Sequence, residues 1–285
     1  MRTFLLGTLL LTAPLFAQAR PLEPADLAGR RAAAEAITAL LAQKADLPTS
    51  IAMAAIAGTQ LGEGSAARSN LDAALSRANL APRADAALRT LRVDLGELAE
   101  TLTFQPTQQA ELPKGFPGFQ AVDEIELRQY PAYRMVRTDM QGGSNRAFWP
   151  LFRHIESNGI AMTTPVQMDW GRKDSAGAEK PMQMAFLYGD MTIAPQHVAD
   201  GVEVVAIEAQ TVLSIGAIGD DRPARVEAMR ARLEAFVEAH RGIWMAAGPL
   251  RTMGYNSPMV SRDRRYFEVQ LPVQKVESKG RSAIR

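Results

Sequence analysis

Cysteine is absent from the 285 residues. The fold therefore has no disulfide to rely on, and no thiolate is available to ligate a metal. Histidine is scarce too, with three in the chain, so an imidazole-based centre would have to be built from His154, His197 or His240. Charge of either sign is not in surplus. Lys and Arg number 32 against 31 Asp and Glu, and a chain this close to neutral lacks the basic footprint that a phosphate backbone attracts. On that ground nucleic acid is not expected as a partner. Long apolar runs are missing except at the start, where MRTFLLGTLLLTAPLFAQA (1–19) has an arginine, an apolar stretch and Ala17-Gln18-Ala19 in small-x-small form. That is the pattern of a cleaved secretory leader. A run of about 14 residues broken by Pro14 falls short of the roughly 20 needed to cross a bilayer. The expected product is exported, periplasmic or secreted, with no integral membrane segment after cleavage.

What is present divides the rest of the chain. From Ala25 to Thr103 the sequence is rich in Ala, Leu and Arg, and helical spacing predicts helices over 25–45, 49–60, 66–79 and 83–103. Pro48, Gly62-Glu63-Gly64 and Pro82 punctuate them. Leu88, Leu91, Leu95, Leu98 and Leu102 recur at steps of three and four, a stripe that must be buried. The region 20–103 is thus a helical N-terminal domain or extension, either a bundle in its own right or an arm that docks on the second domain or on a protein partner.

Prolines and glycines in FQPTQQAELPKGFPGFQ (104–120) interrupt periodic structure and place a linker at 104–118. Beyond it the texture is that of strands. IELRQYPAYRMVRT (125–138) holds two extended runs around Pro131. Ser144 is placed to cap a helix with Phe148, Leu151, Phe152 and Ile155 on one face. GIAMTTPVQM (159–168) and PMQMAFLY (181–188) alternate as strands. A comparable order follows: strand-like 202–209 and 211–218, a helix from Pro223 through His240 with Val226, Met229, Leu233, Phe236 and Val237 on a stripe, then extended pieces at 250–255 and 265–272. The class is α+β. Its expected form is a pair of duplicated β-β-α-β-β units forming a distorted β-barrel with two flanking helices, preceded by the α-helical segment and followed by a short tail at 275–285.

The run Met162-Thr163-Thr164-Pro165-Val166 carries no chemistry of its own. No base or orienting acid is arranged around either threonine, and Pro165, which has no N–H, suits an edge strand or bulge. The run does carry a resemblance. Together with Glu126, Arg128 and Tyr130 in ELRQYP, with Phe148, Leu151 and Ile155, with Tyr255-Asn256-Ser257-Pro258, and with Arg265 and Glu268-Val269, it makes the chain from about Phe119 to Val273 resemble the SOUL haem-binding protein family. The resemblance implies a distorted barrel of two similar halves with flanking helices. It also implies noncatalytic binding of haem b or a related tetrapyrrole, which makes a porphyrin the expected ligand. The alternative is a scaffold or a binder of a non-haem small molecule or peptide.

A porphyrin requires a flat apolar surface, cations for its propionates and, for haem, an axial ligand. Trp149 leaves the stripe of its helix and is the platform candidate, with Arg146 and Arg153 available to carboxylates. His154 lies about 240° around the helix from Phe148 at 3.6 residues per turn, toward solvent, and is the candidate iron ligand. Family members often have tyrosine before this isoleucine, so the histidine inherits no role. His240 reads as a helix C-terminal cap and His197 as a loop residue. Met162, Met168, Met182 and Met184 read as core, while Met253 and Met259 flank GYNSP at a rim.

Overall fold

In a computed structural model, residues 23–173 and 179–276 are described. The leader-like residues 1–19, and 277–285 of the expected tail, lie outside them. Four helices come first: α1 (Pro24–Leu41), α2 (Leu47–Gly58), α3 (Ala66–Leu80) and α4 (Ala84–Thr103). The first three begin where the sequence offers a cap or a proline. Asp46 accepts a hydrogen bond from Thr49 N at the start of α2, with Pro48 in its first turn. Ser65 does the same for Arg68 N at the start of α3. Ile37, Leu71, Leu91 and Leu95 are each no more than 1% exposed and centre the bundle's core. The Arg92 guanidinium on α4 donates to the carbonyls of Leu41 and Gln43, satisfying the C-terminal end of α1. The bundle is neither a bare arm nor detached, because the segment 122–124 clamps it to the second body.

That clamp is made of two adjacent carboxylates. Buried Glu124 accepts from Arg30 Nη1 of α1 at 2.6 Å, and from Ala66 N and Ala67 N at the start of α3 at 2.9 and 3.2 Å. One side chain thus neutralises a buried arginine and fills two orphan donors of a helix N-terminus. Asp123 accepts from Asn70 of α3 at 2.9 Å and pairs with Arg232 of the last helix.

The second body is an antiparallel sheet flanked by two helices. Its strands are β1 (Ile125–Tyr130), β2 (Tyr133–Asp139), β3 (Val166–Lys173), β4 (Glu179–Leu187), β5 (Glu203–Ile207), β6 (Gln210–Ile218), β7 (Trp244–Ala246), β8 (Arg251–Gly254) and β9 (Tyr266–Lys275). They run in the order β1-β6-β9-β8-β3-β4-β2-β5, with β7 paired to β9 off that path. Helix α5 (Ser144–Ser157) packs on β2 and β4, and α6 (Pro223–Ala239) on β6 and β9. β1 and β5 remain the two ends of the ladder among the described residues, so the expected distorted barrel takes the form of a curled, open half-barrel. The second half also departs from a plain β-β-α-β-β unit by the short β7. No helix of the described residues is long and apolar enough to cross a membrane.

Period-two alternation decides which side chains face which way. In β9, Phe267, Val269, Leu271 and Val273 pack beneath α6, while Tyr266, Glu268 and Gln270 point to the concave side, and all seven are buried. Two local readings need correction. Gly143, with φ 83°, stands at the N-cap of α5, and Ser144 is already helical. β3 begins only at Val166, and residues 160–165 are irregular, so Pro165 precedes a central strand instead of sitting in an edge or bulge. The two threonines bond far along the chain and not locally: Thr163 Oγ1 to the Leu187 carbonyl at 2.6 Å, and Thr164 Oγ1 to the Ala110 carbonyl at 3.1 Å.

Candidate functional site

The concave side of the half-barrel holds the densest polar chemistry in the molecule. Glu268 is 0% exposed. Its carboxylate pairs with Arg128 Nη1 at 2.7 Å and receives Gln270 Nε2 at 2.7 Å and the Tyr266 hydroxyl at 3.1 Å, with the Tyr130 hydroxyl at 3.3 Å. A charge this far from water is tolerable only with such a complete set of donors. Gln270 Oε1 in turn accepts from Arg251 Nε, and Arg251 Nη1 donates to the Tyr133 hydroxyl, both at 2.9 Å. The Tyr133 hydroxyl reaches Gln167 Oε1 at 2.9 Å. One donor of the network is left over: Arg251 Nη2 is buried without an acceptor.

Burial sets the protonation states here. Desolvation, reinforced by Glu268, pushes the Tyr130, Tyr255 and Tyr266 hydroxyls above the ordinary tyrosine range. Desolvation also pushes Tyr133 up. Glu126, at the same edge of the sheet, is raised to about 7, mainly by burial and against the pull of Arg128.

This concave interior, filled by its own side chains and called the chamber below, is roofed by the segment read as a linker. Phe116 meets Tyr130 and Tyr133 edge to face, with centroids at 5.0 and 5.2 Å, and Phe119 meets Tyr255 and Tyr266 at 5.1 and 5.5 Å. Around these rings the strap is tied at several points. Thr164 N donates to the Glu111 carbonyl at 3.0 Å and Lys114 N to the Gly189 carbonyl at 2.9 Å. Asn256 Nδ2 donates to the Thr107 carbonyl and Ser257 N to Gln109 Oε1, both at 2.7 Å. The two motifs singled out in sequence, Met162–Val166 and Tyr255–Pro258, therefore hold the strap. Gly216 on β6 must be glycine, because a Cβ there would lie 2.4 Å from the Tyr266 hydroxyl oxygen. At the strap's edge Pro113, Ala132, Tyr133, Tyr188 and Met191 line a pocket of about 300 Å³.

The residues chosen from sequence do not assemble around one point. Arg146, Trp149 and Arg153 do share the outer, exposed face of α5, with Trp149 56% exposed, while Phe148 and Phe152 are half-buried beside it. His154 is not on that face. It is 0% exposed, and its Nε2 shares a hydrogen bond of 2.8 Å with the Tyr188 hydroxyl. The stripe of α5 is centred on Leu151, with Ala147 and Ile155, and not on Phe148. That turns His154 inward. Burial holds its pKa below the usual histidine value, with His197 adding to the effect, and its Nδ1 has no partner. His240 occupies the C-cap of α6 with Nδ1 2.8 Å from the Phe236 carbonyl, and His197 is an exposed loop residue. Met184 is core and Met253 lines the chamber, fully buried, whereas Met259 is 92% exposed.

Of the chamber's residues, Arg128, Tyr130, Tyr255 and Glu268 stand in the motifs, whereas Tyr133, Arg251, Tyr266 and Gln270 went unselected. The available signal was YFEVQL (266–271), in which polar side chains sit at every second position of an otherwise apolar strand. His154, the expected iron ligand, lies on the α5 side of the sheet, bonded to Tyr188, and not beside these tyrosines. Flat rings and a carboxylate are matched, the first by the tyrosine walls and the second by the unused Arg251 donor.

A family model described as SOUL heme-binding protein matches residues 116–272. No curated protein matches the chain. Among solved structures, the EcmrR C-terminal domain is 15% identical over 54% of this chain and 99% of that one, with a TM-score of 0.44. An uncharacterized conserved protein from Listeria innocua is 12% identical over 54% of this chain and 93% of its own, with a TM-score of 0.42. A chain in an EcmrR–DNA complex is 15% identical, covering 54% of this chain and 59% of that one, with a TM-score of 0.43. This last comparison corrects the exclusion of nucleic acid. A chain similar to this one sits in an assembly on DNA, and a formal charge summed over a whole chain does not fix what local patches contact.

Proposed function

The chain belongs to the SOUL haem-binding protein family, a noncatalytic family, and from that premise we propose that it binds, without transforming, a flat aromatic acid in the concave chamber of the half-barrel. Tetrapyrroles are the ligand class that the family suggests, and a tetrapyrrole here is held by its rings and carboxylates and not by a bond from His154 to iron. The observation that carries the reading is Arg251 Nη2, a buried cationic donor without an acceptor, set among Tyr130, Tyr133, Tyr255 and Tyr266. A buried donor left open costs about 1–3 kcal/mol, which a ligand carboxylate recovers. Phe116 and Phe119 mark where the ligand's rings lie, so binding requires the strap to lift.

The test is a titration of the full chain with protoporphyrin IX and, separately, with haem, on the native protein, Phe116→Ala and His154→Ala. Saturable binding near one equivalent is expected for both ligands, tighter in F116A and unchanged in H154A. A Soret band that depends on iron and is lost in H154A overturns the ring-held reading. Absence of saturable binding in both the native protein and F116A overturns the chamber itself. The leader-like residues 1–19 support an exported protein, periplasmic or secreted, which N-terminal sequencing of the protein recovered from each compartment would test.

A further inference from the structure

A larger space than the pocket at the strap's edge opens outside the half-barrel's concave side. It is a cleft of about 550 Å³ between the helical bundle and the half-barrel, walled by α3 and α4 on one side and by residues 122–123, β6 and α6 on the other. That volume falls within the range of small-molecule sites, and a domain interface is a preferred place for one. Half of its wall comes from helices outside the matched residues 116–272.

The floor is aliphatic. Leu71, Leu95, Leu98, Val122, Ala217 and Met229 are all buried there, and no aromatic residue lines the cleft. The charges at the rim are mostly spent. Arg77 pairs with Asp94 at 2.9 Å, and Arg232 pairs with Asp123. Asp123 itself is the one non-glycine residue with positive φ, 68°, among the described residues, a strained position held by its bonds to Asn70 and Arg232. Arg225 is different. Its Nη1 donates to the Ile218 carbonyl, and its guanidinium lies over the Phe267 ring at 5.3 Å, but it makes no ion pair among the described residues. The neighbouring carboxylate of Asp220 is taken by Arg265 and Arg262 at 2.7 and 3.1 Å. Glu97 also lines the cleft and makes no ion pair among the described residues.

We propose that this interdomain cleft is a binding site for an aliphatic monocarboxylate, with the chain on the leucine and methionine floor and the carboxylate on Arg225. The site is separate from the aromatic chamber in both lining and ligand class.

The test is isothermal titration of the full chain with dodecanoate below its micellar concentration. One saturable site is expected. Arg225→Gln weakens it severalfold, up to about fivefold, as for an exposed charged contact. Glu97→Gln tightens it, and Ala228→Phe, which fills the cleft from an exposed position of α6, removes it. Phe116→Ala leaves it unchanged. The proposal is overturned if no saturable site exists, or if R225Q binds as tightly as the native protein. It is equally overturned if folded A228F, checked by circular dichroism, still binds. Loss of binding in F116A would move the ligand to the chamber and likewise overturn it.

Discussion

Glu126→Gln gives the sharpest test of the buried polar network. The carboxyl is 5% exposed, accepts from Ala121 N at 3.2 Å and is raised from 4.5 to about 7, chiefly by desolvation. Between those two values the folded protein keeps a proton that the unfolded chain has already released, so stability falls as pH rises through this window and the loss is complete above about 7. At 1.36 kcal/mol per unit, the penalty carried by Glu126 at pH 8 is about 3 kcal/mol. Glutamine is neutral throughout, and its carbonyl oxygen still accepts the Ala121 N–H. The variant should therefore match the native protein at pH 4 and exceed it by about 3 kcal/mol at pH 8. Asp169 and Asp221, raised by burial, and His154, lowered by it, also titrate, but they do so in both proteins and largely cancel in the difference. Urea unfolding followed by tryptophan emission reads the correct body, since Trp149, Trp170 and Trp244 all lie in the half-barrel. A stability difference that stays flat from pH 4 to 8 would refute the assignment of a buried, proton-holding Glu126.

Glu268→Gln leaves Arg128 as a buried charge without its counterion, and a loss of about 3–5 kcal/mol is expected in the same unfolding assay. Glu124→Ala strips Arg30 of its partner and exposes the orphan donors of α3. A comparable loss is expected in the bundle, seen in calorimetry as a bundle transition that separates from that of the half-barrel, whereas Glu124→Gln, which keeps an acceptor, should show a smaller separation.

The elements were legible where local chemistry agrees with the fold. Asp46, Ser65 and Pro223 start helices for reasons written in their side chains, and the strands on either side of Pro131 alternate as sequence requires. The phase of α5 was not legible from its aromatics. Phe148 and Phe152 look like the centre of an apolar face, yet they are its flank, because β2 and β4 receive the smaller Ala147, Leu151 and Ile155 at closest approach. Moving that centre from Phe148 to Leu151 is a rotation of only about 60° around a helix, enough to bring His154 from solvent to the core.

The chamber was hidden for a different reason. Its walls come from β1, β2, β8 and β9, its roof from residues 104–120, and beyond the contacts within β9 the key partners are far apart in sequence: Arg128 and Glu268 are 140 residues apart, Arg251 and Tyr133 are 118. Proline and glycine in FQPTQQAELPKGFPGFQ announce the lack of regular structure but say nothing of where the chain lies. The informative feature is that the phenylalanines persist there. A solvated linker has no use for Phe104, Phe116 and Phe119, and a half-barrel whose concave side carries four buried tyrosines needs rings to cover it. Read together, those two facts turn the linker into a strap. They also explain why the threonine and asparagine motifs ahead of β3 and after β8 reach away from their own strands. Their side chains and amides hold the strap's backbone, which no sheet ladder satisfies.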